Sequence, residues 1–142
     1  MDPLTFGFCY LLLIVFLLIT GIILFIHIIV KMVRKKSTRS LVISLVISSL
    51  LLLTVVLFGA SHPTYYKYND WVILNSNIGT VQKKYGDFDV GTVTDHKAGK
   101  VAYYIYTDNG PIMPDYLRHY YYIEYDENGM ITTVYDRSEE GG

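Results

Sequence analysis

The sequence predicts a membrane α-helical hairpin joined to an α+β domain, in which one short helix packs on a four-stranded antiparallel meander. Three observations lead there. Two long runs near the start carry no charge. Only six charged residues, Asp2, Lys31, Arg34, Lys35, Lys36 and Arg39, fall within residues 1–60, against seven basic and twelve acidic residues beyond. After Gly86 the chain breaks into β-branched and aromatic runs separated by Gly, Asn, Asp and Pro, the pattern of strands and turns.

The run from Leu4 to Val30 is free of charge and as a helix would exceed the ~30 Å hydrocarbon core of a bilayer, so it can span with tilt. The run from Leu41 to Ala60 matches that thickness. Both are apolar all round, which suits lipid and not the one-sided burial of a soluble helix. The first run does not read as a cleaved signal, because it is too long and its basic cluster follows it. Two transmembrane helices, about 4–30 and 41–60, are therefore expected, joined by the basic loop 31–40.

Orientation follows from that loop. Lys31, Arg34, Lys35, Lys36 and Arg39 crowd nine positions, whereas the stretch just beyond the second run offers Lys67 opposed by Asp70. Loops rich in Lys and Arg stay in the cytoplasm. The hairpin turn is thus expected inside and the C-terminal domain outside a cytoplasmic membrane, with membrane lipid as one partner of the basic cluster. Ser44 and Ser48, with Ser40, recur on one face of the second helix, and Gly21 lies at a similar depth on the first. Small residues let membrane helices approach closely, so Gly21, Ser44 and Ser48 are candidates for helix–helix packing. Alternatively the hydroxyls bond carbonyls of their own helix. His27, one turn from Lys31, reads as an interfacial histidine.

Residues 61–70 read as a stalk, with Tyr65, Tyr66 and Tyr68 suited to the membrane–water boundary, and 71–137 as the domain, with 138–142 as a tail. Ile78, Val81 and Tyr85 share a helical face, Asn77 can cap its start and Gly86 its end. Strands are expected at Phe88–Thr94, Val101–Thr107, Leu117–Tyr125 and Met130–Tyr135. Asn128-Gly129 favours a primed hairpin turn.

The run Trp71–Asp89 (WVILNSNIGTVQKKYGDFD) and the later strand-turn-strand Tyr122–Ile131 (YIEYDENGMI) resemble the BamE (SmpA/OmlA) and β-lactamase-inhibitor-protein-like domains. The resemblance covers about residues 70–136. It departs at Asn75, where a glycine is usual, and no lipidated cysteine is present. It implies a small α+β domain, without catalytic activity, that acts by protein–protein contact outside the cytoplasmic membrane.

The residues themselves exclude several classes. Cys9 is the only cysteine, so a disulfide framework is ruled out. The acidic outer half argues against nucleic acid. His62, His96 and His119 are too far apart in sequence to anchor a metal site locally. Asp87 and Asp89 read as solvated acids at an element boundary, and no cofactor motif is present. Thirteen tyrosines follow Ala60. Alternation places Tyr104 and Tyr106 on one face of their strand, and a single helix cannot cover both faces of a sheet. The loop 108–116, stiffened by Pro111 and Pro114, would present Ile112, Met113, Asp115 and Tyr116. These six residues are the partner-binding candidates, with another envelope protein as the expected partner. A sensor for an envelope ligand or a cell-wall sugar, and an accessory subunit acting through its spans, are the alternatives.

Overall fold

The computed structural model describes residues 3–94, 96–109 and 114–139. It divides into two compact units, Met1–Ala60 and Ser61–Gly142.

The first unit is a pair of helices, α1 (Pro3–Val33) and α2 (Arg39–Ser61). Both are long and apolar enough to cross a membrane by length and composition. Helix α1 runs past the expected end at Val30, because Lys31 continues the same backbone ladder. The helices meet where Phe6 and Tyr10 approach Phe58 and Val55. The Tyr10 hydroxyl donates to the Val55 carbonyl at 2.8 Å, and the Phe6 and Phe58 rings lie 6.3 Å apart. The glycine that permits this approach is Gly59, where a Cβ would collide with the Tyr10 ring. At Gly21 a Cβ would meet nothing within 4 Å. Gly21 lines a groove of about 340 Å³ together with Ser48. Ser48 is buried and Ser44 is exposed, so of the three packing candidates only Ser48 is enclosed. Thr20 and Thr54 each donate to the carbonyl four residues back, at 2.8 and 2.9 Å. The ring of His27 does the same to Ile23 at 3.0 Å. Such back-bonding satisfies a hydroxyl or imidazole in an apolar setting without a partner helix.

The second unit holds two short helices, α3 (Asp70–Leu74) and α4 (Ile78–Tyr85), and three strands, β1 (Gly99–Thr107), β2 (Arg118–Tyr125) and β3 (Ile131–Glu139). The strands form one antiparallel sheet in the order β1-β2-β3. Helix α4 starts and stops where its sequence predicts. The Asn77 side chain accepts from Gly79 N–H at 2.9 Å, and Gly86 follows at φ +95°.

Four expectations are corrected here. The sheet has three strands, not four. Phe88–Thr94 pairs with β1 through a single bridge, in which Ala102 N–H donates to Val90 O at 2.9 Å. Gly91 follows at φ +81°, outside extended geometry, and a Cβ there would lie 2.7 Å from the Lys100 carbonyl. The chain therefore turns away before a second pair can form. The unit has two short helices rather than one, because Asn69 caps α3 by accepting from Val72 N–H at 3.0 Å. Residues 61–70 are no stalk. Tyr68 is 1% exposed at the centre of the core, and Asp70 is 2% exposed. Finally, the β2–β3 turn is not primed, since Gly129 has positive φ and Asn128 does not. Gly129 N–H donates to Asp126 O at 2.9 Å, and the Asp126 carboxylate accepts from Asn128 and Met130 N–H. This is a three-residue loop whose left-handed glycine forms a bulge.

The core lies between the two short helices and one sheet face. Ile73, Ile78 and Val81 pack on Val101, Tyr103, Tyr121, Ile123, Tyr125 and Ile131. It is unusually rich in phenol. The Tyr68 ring sits 4.5 Å from that of Tyr121 and 5.3 Å from that of Tyr103, with Tyr85 edge-on at 5.2 Å. Buried tyrosines need somewhere to put their hydroxyls. Tyr103 donates to Gly86 O at 2.8 Å and Tyr121 to the Asp70 carboxylate at 2.7 Å.

Candidate functional site

The other face of the sheet carries no short helix, and there the sequence alternation builds a row of aromatic rings. Cross-strand register places Tyr104 opposite Tyr120, and Ala102 opposite Tyr122, which in turn faces Tyr135. Residues paired across strands share a face, so Tyr104, Tyr120, Tyr122 and Tyr135 lie together. Their ring centroids run 5.8 Å from Tyr104 to Tyr120, 6.1 Å to Tyr122 and 5.5 Å to Tyr135.

Charged side chains frame the row. Lys100 lies over the Tyr122 ring, 4.9 Å from its centroid. The Tyr122 hydroxyl donates to Glu139, and that of Tyr135 to Glu124 at 2.9 Å. Burial and the Glu139 carboxylate push the Tyr122 phenol up to about 12. Burial and the Glu124 carboxylate raise that of Tyr135. Both hydroxyls are thus protonated donors locked to acids, which fixes the rings. Tyr104 is the most open member, 44% exposed, with its hydroxyl 2.9 Å from Thr107 Oγ1. The Asp89 carboxylate accepts from Tyr104 N–H at 2.7 Å, covering the edge of β1 with a charge. That is a common way to stop an open strand from recruiting another. Asp89, Tyr104, Thr107, Arg118 and Tyr120 surround an open depression of about 380 Å³.

The six predicted partner-binding residues do not form one cluster. Ile112 and Met113 lie outside the described residues. Tyr104 belongs to the aromatic row. Tyr106 does not: a bulge between Tyr104 and Tyr106 sets it opposite His119, whose ring it stacks on at 4.3 Å. His119 and Tyr120 are consecutive and point to opposite faces, so Tyr106 falls on the helix side. This corrects the expectation that Tyr104 and Tyr106 share a face. Asp115 and Tyr116 sit at the base of the 108–117 loop. There Tyr116 N–H donates to Asp108 O at 2.9 Å and Asp108 N–H to Leu117 O at 3.1 Å. Asp115 accepts from Leu117 N–H at 2.8 Å and lies 3.8 Å from His119 Nε2. Tyr116 is 68% exposed at φ +57°.

Sequence reasoning did not nominate Tyr120, Tyr122, Tyr135 or Arg118. Alternation in the strand 117–125 does separate Tyr120, Tyr122 and Glu124 from Tyr121 and Ile123, and this was the available signal. Among the described residues, no three His, Cys, Asp or Glu side chains are grouped to hold a metal ion. No family model, curated protein or solved structure matches the chain.

Proposed function

We propose that this chain is a membrane-anchored, non-catalytic interaction module, with its Ser61–Gly142 unit outside the cytoplasm and the aromatic sheet face as its recognition surface. One observation carries the reading: the open Tyr104 and the half-buried Tyr120 and Tyr135 extend from a buried Tyr122, itself 2% exposed and held by Glu139, so that the row forms a broad shallow face and not a deep pocket. Tyrosine supplies rigid contact area plus a hydrogen bond at little entropic cost, and is enriched at interfaces for that reason. Ligand sites, by contrast, are concave and enclose most of their ligand. The alternating charges of Lys100, Arg118, Asp89, Glu124 and Glu139 supply the polar rim that an envelope-protein partner would have to complement. The resemblance to BamE-like and inhibitor-like domains points the same way. A second reading, a sugar-binding sensor, draws on the depression beside Tyr104 and Arg118, where an aromatic ring adjoins charged hydrogen-bonding groups.

The test is photo-crosslinking in intact membranes, with a benzophenone amino acid at Tyr104 or Tyr120 and, as control, at Lys83 on the outward side of α4. Protein adducts from Tyr104 and Tyr120, absent from Lys83, support the module. No adduct from either tyrosine, together with retention on immobilised cell-wall glycan that Tyr104→Ala abolishes, supports the sensor. Topology is tested separately in a Cys9→Ser background. An impermeant thiol reagent should label Glu127→Cys and spare Ser37→Cys in intact cells. The reverse pattern overturns the orientation.

A further inference from the structure

We propose that α3 is an interfacial foot, resting Trp71, Val72 and Leu74 in the headgroup–acyl boundary of the membrane that α1 and α2 span. The proposal rests on the membrane reading above and adds a lipid contact made by the outer unit itself.

Helix α3 is two-sided in an uncommon sense. Its inward residues are Asp70, 2% exposed, and Ile73, 0% exposed. Its outward side is apolar: Trp71 is 51%, Val72 48% and Leu74 38% exposed. The charged residue is thus buried and the large apolar ones are presented. Trp71 is also the only tryptophan of the chain, and tryptophan concentrates at the membrane–water boundary, where an amphipathic ring is best solvated.

A single helical turn facing lipid has a second requirement. Its backbone groups, which water would otherwise satisfy, need partners within the protein. Here neighbouring side chains provide them. Asn69 accepts from Val72 N–H at 3.0 Å, Asn75 donates to Trp71 O at 2.7 Å, and Ser76 donates to Val72 O at 2.6 Å. Three backbone groups of the outward turn, Val72 N–H, Trp71 O and Val72 O, are therefore satisfied beneath an apolar cover.

The third observation is the length of the tether. The Asp70 carboxylate accepts from Thr64 N–H at 3.1 Å and from the Tyr121 hydroxyl at 2.7 Å. This fixes the start of the outer unit to the root of α3. Only His62 and Pro63 separate Thr64 from Ser61, the last residue of α2. Three Cα steps reach no more than ~11 Å, so the covalent link holds the root of α3 near the end of the span. Lys67, exposed beside this root, adds a positive charge suited to anionic headgroups.

Two single residues make the test clean. The full chain is reconstituted in vesicles of phosphatidylcholine and phosphatidylglycerol, with Cys9, exposed on α1, carrying a bimane fluorophore. Phosphatidylcholine brominated near the headgroup end of its acyl chains should remove about half of the Trp71 emission or more, while aqueous iodide has little effect, as expected for an interfacial indole. Val72→Asp should restore iodide quenching of Trp71. Strong iodide quenching of the unmutated chain without bromolipid quenching places Trp71 in water and overturns the proposal. Shielding from both quenchers means that protein covers α3, and overturns it as well. Bimane on Cys9 reports independently. If bromolipids leave it unquenched, the spanning reading itself has failed, whereas quenched bimane with water-exposed Trp71 removes only the foot.

Discussion

Asp70 ties two distant parts of the Ser61–Gly142 unit together. Its carboxylate is buried, yet it holds two donors that are far apart in sequence, Thr64 N–H and the Tyr121 hydroxyl. Tyr121→Phe leaves a buried charge short of a donor, and Asp70→Ala orphans both donors, each costing about 1–3 kcal/mol. Because the two changes break the same bond, the double variant should cost clearly less than the sum of the singles. Urea midpoints read by near-ultraviolet circular dichroism in detergent check this, and additivity would show the bond to be incidental. The phenols also set an alkaline limit. Burial raises Tyr68 to about 12 and lifts Tyr103, while burial and the Asp70 carboxylate lift Tyr121. A folded-state value above the unfolded one, near 10, favours the protonated form in the fold. The resulting stability is complete below pH about 10 and is lost as pH rises through about 12. Ultraviolet titration of tyrosinate should therefore show these phenols ionising in one steep step that coincides with unfolding. Gradual ionisation with the fold retained would contradict the buried placement. None of this was legible in the sequence at Asp70, because its key partner lies 51 residues away and the flanking residues show no helical or strand period. The parity of Tyr121 against Tyr120 and Tyr122 was legible, since alternation is a local property.

At the scale of elements, α4 was readable because three local signals agree: an asparagine cap, apolar residues on one helical face and a terminal glycine. Val81 is 3% exposed against the sheet. Val81→Ala should destabilise by roughly 0.5–2 kcal/mol and Val81→Lys by considerably more, and an unchanged urea midpoint for Val81→Lys would remove that face from the core. The segment 88–94 was misread for an equally physical reason. Its composition is that of a strand, but Gly91 bends the backbone at φ +81° against the Lys100 carbonyl. The bulge between Tyr104 and Tyr106 was illegible likewise, because no residue type demands it. Two glycines separate backbone strain from collision. Both Gly86 and Gly91 have positive φ, but a Cβ at Gly86 meets nothing within 4 Å. Alanine at Gly86 should cost the conformational penalty alone, about 1–3 kcal/mol for its positive-φ, extended-ψ backbone. Alanine at Gly91 adds a backbone clash and should cost more, and equal losses would mean that the segment shifts freely off β1.

Over the whole molecule, the division after Ala60 separates an apolar helix pair from a unit with its own core. The first unit exposes Leu, Ile, Val and Phe along both helices, which are long and apolar enough to cross a membrane, and under the proposed topology the basic residues between them set how it inserts. Neutralising Arg34, Lys35, Lys36 and Arg39 together should yield mixed orientations in the thiol-labelling experiment. The second unit has its own core. Every buried residue of that core, from Tyr68 to Ile131, lies beyond Ser61, as do the half-buried residues packed around it, from Tyr65 to Val134. A chain of that size is small but within the range that folds alone, and here a short sheet, two capped helices and a buried Asp70–Tyr121 bond all act within it. Residues 61–142 expressed alone should therefore fold cooperatively and keep the near-ultraviolet dichroism of the packed tyrosines. They should also retain the late tyrosinate step of the full chain. Solubility should be limited by Trp71, Val72 and Leu74, and Val72→Asp with Leu74→Asn should raise it without moving the unfolding midpoint by more than about 0.5 kcal/mol, as for other surface changes. If instead the isolated unit binds hydrophobic dyes and loses its near-ultraviolet signal, the spans complete its core and the two units fold as one.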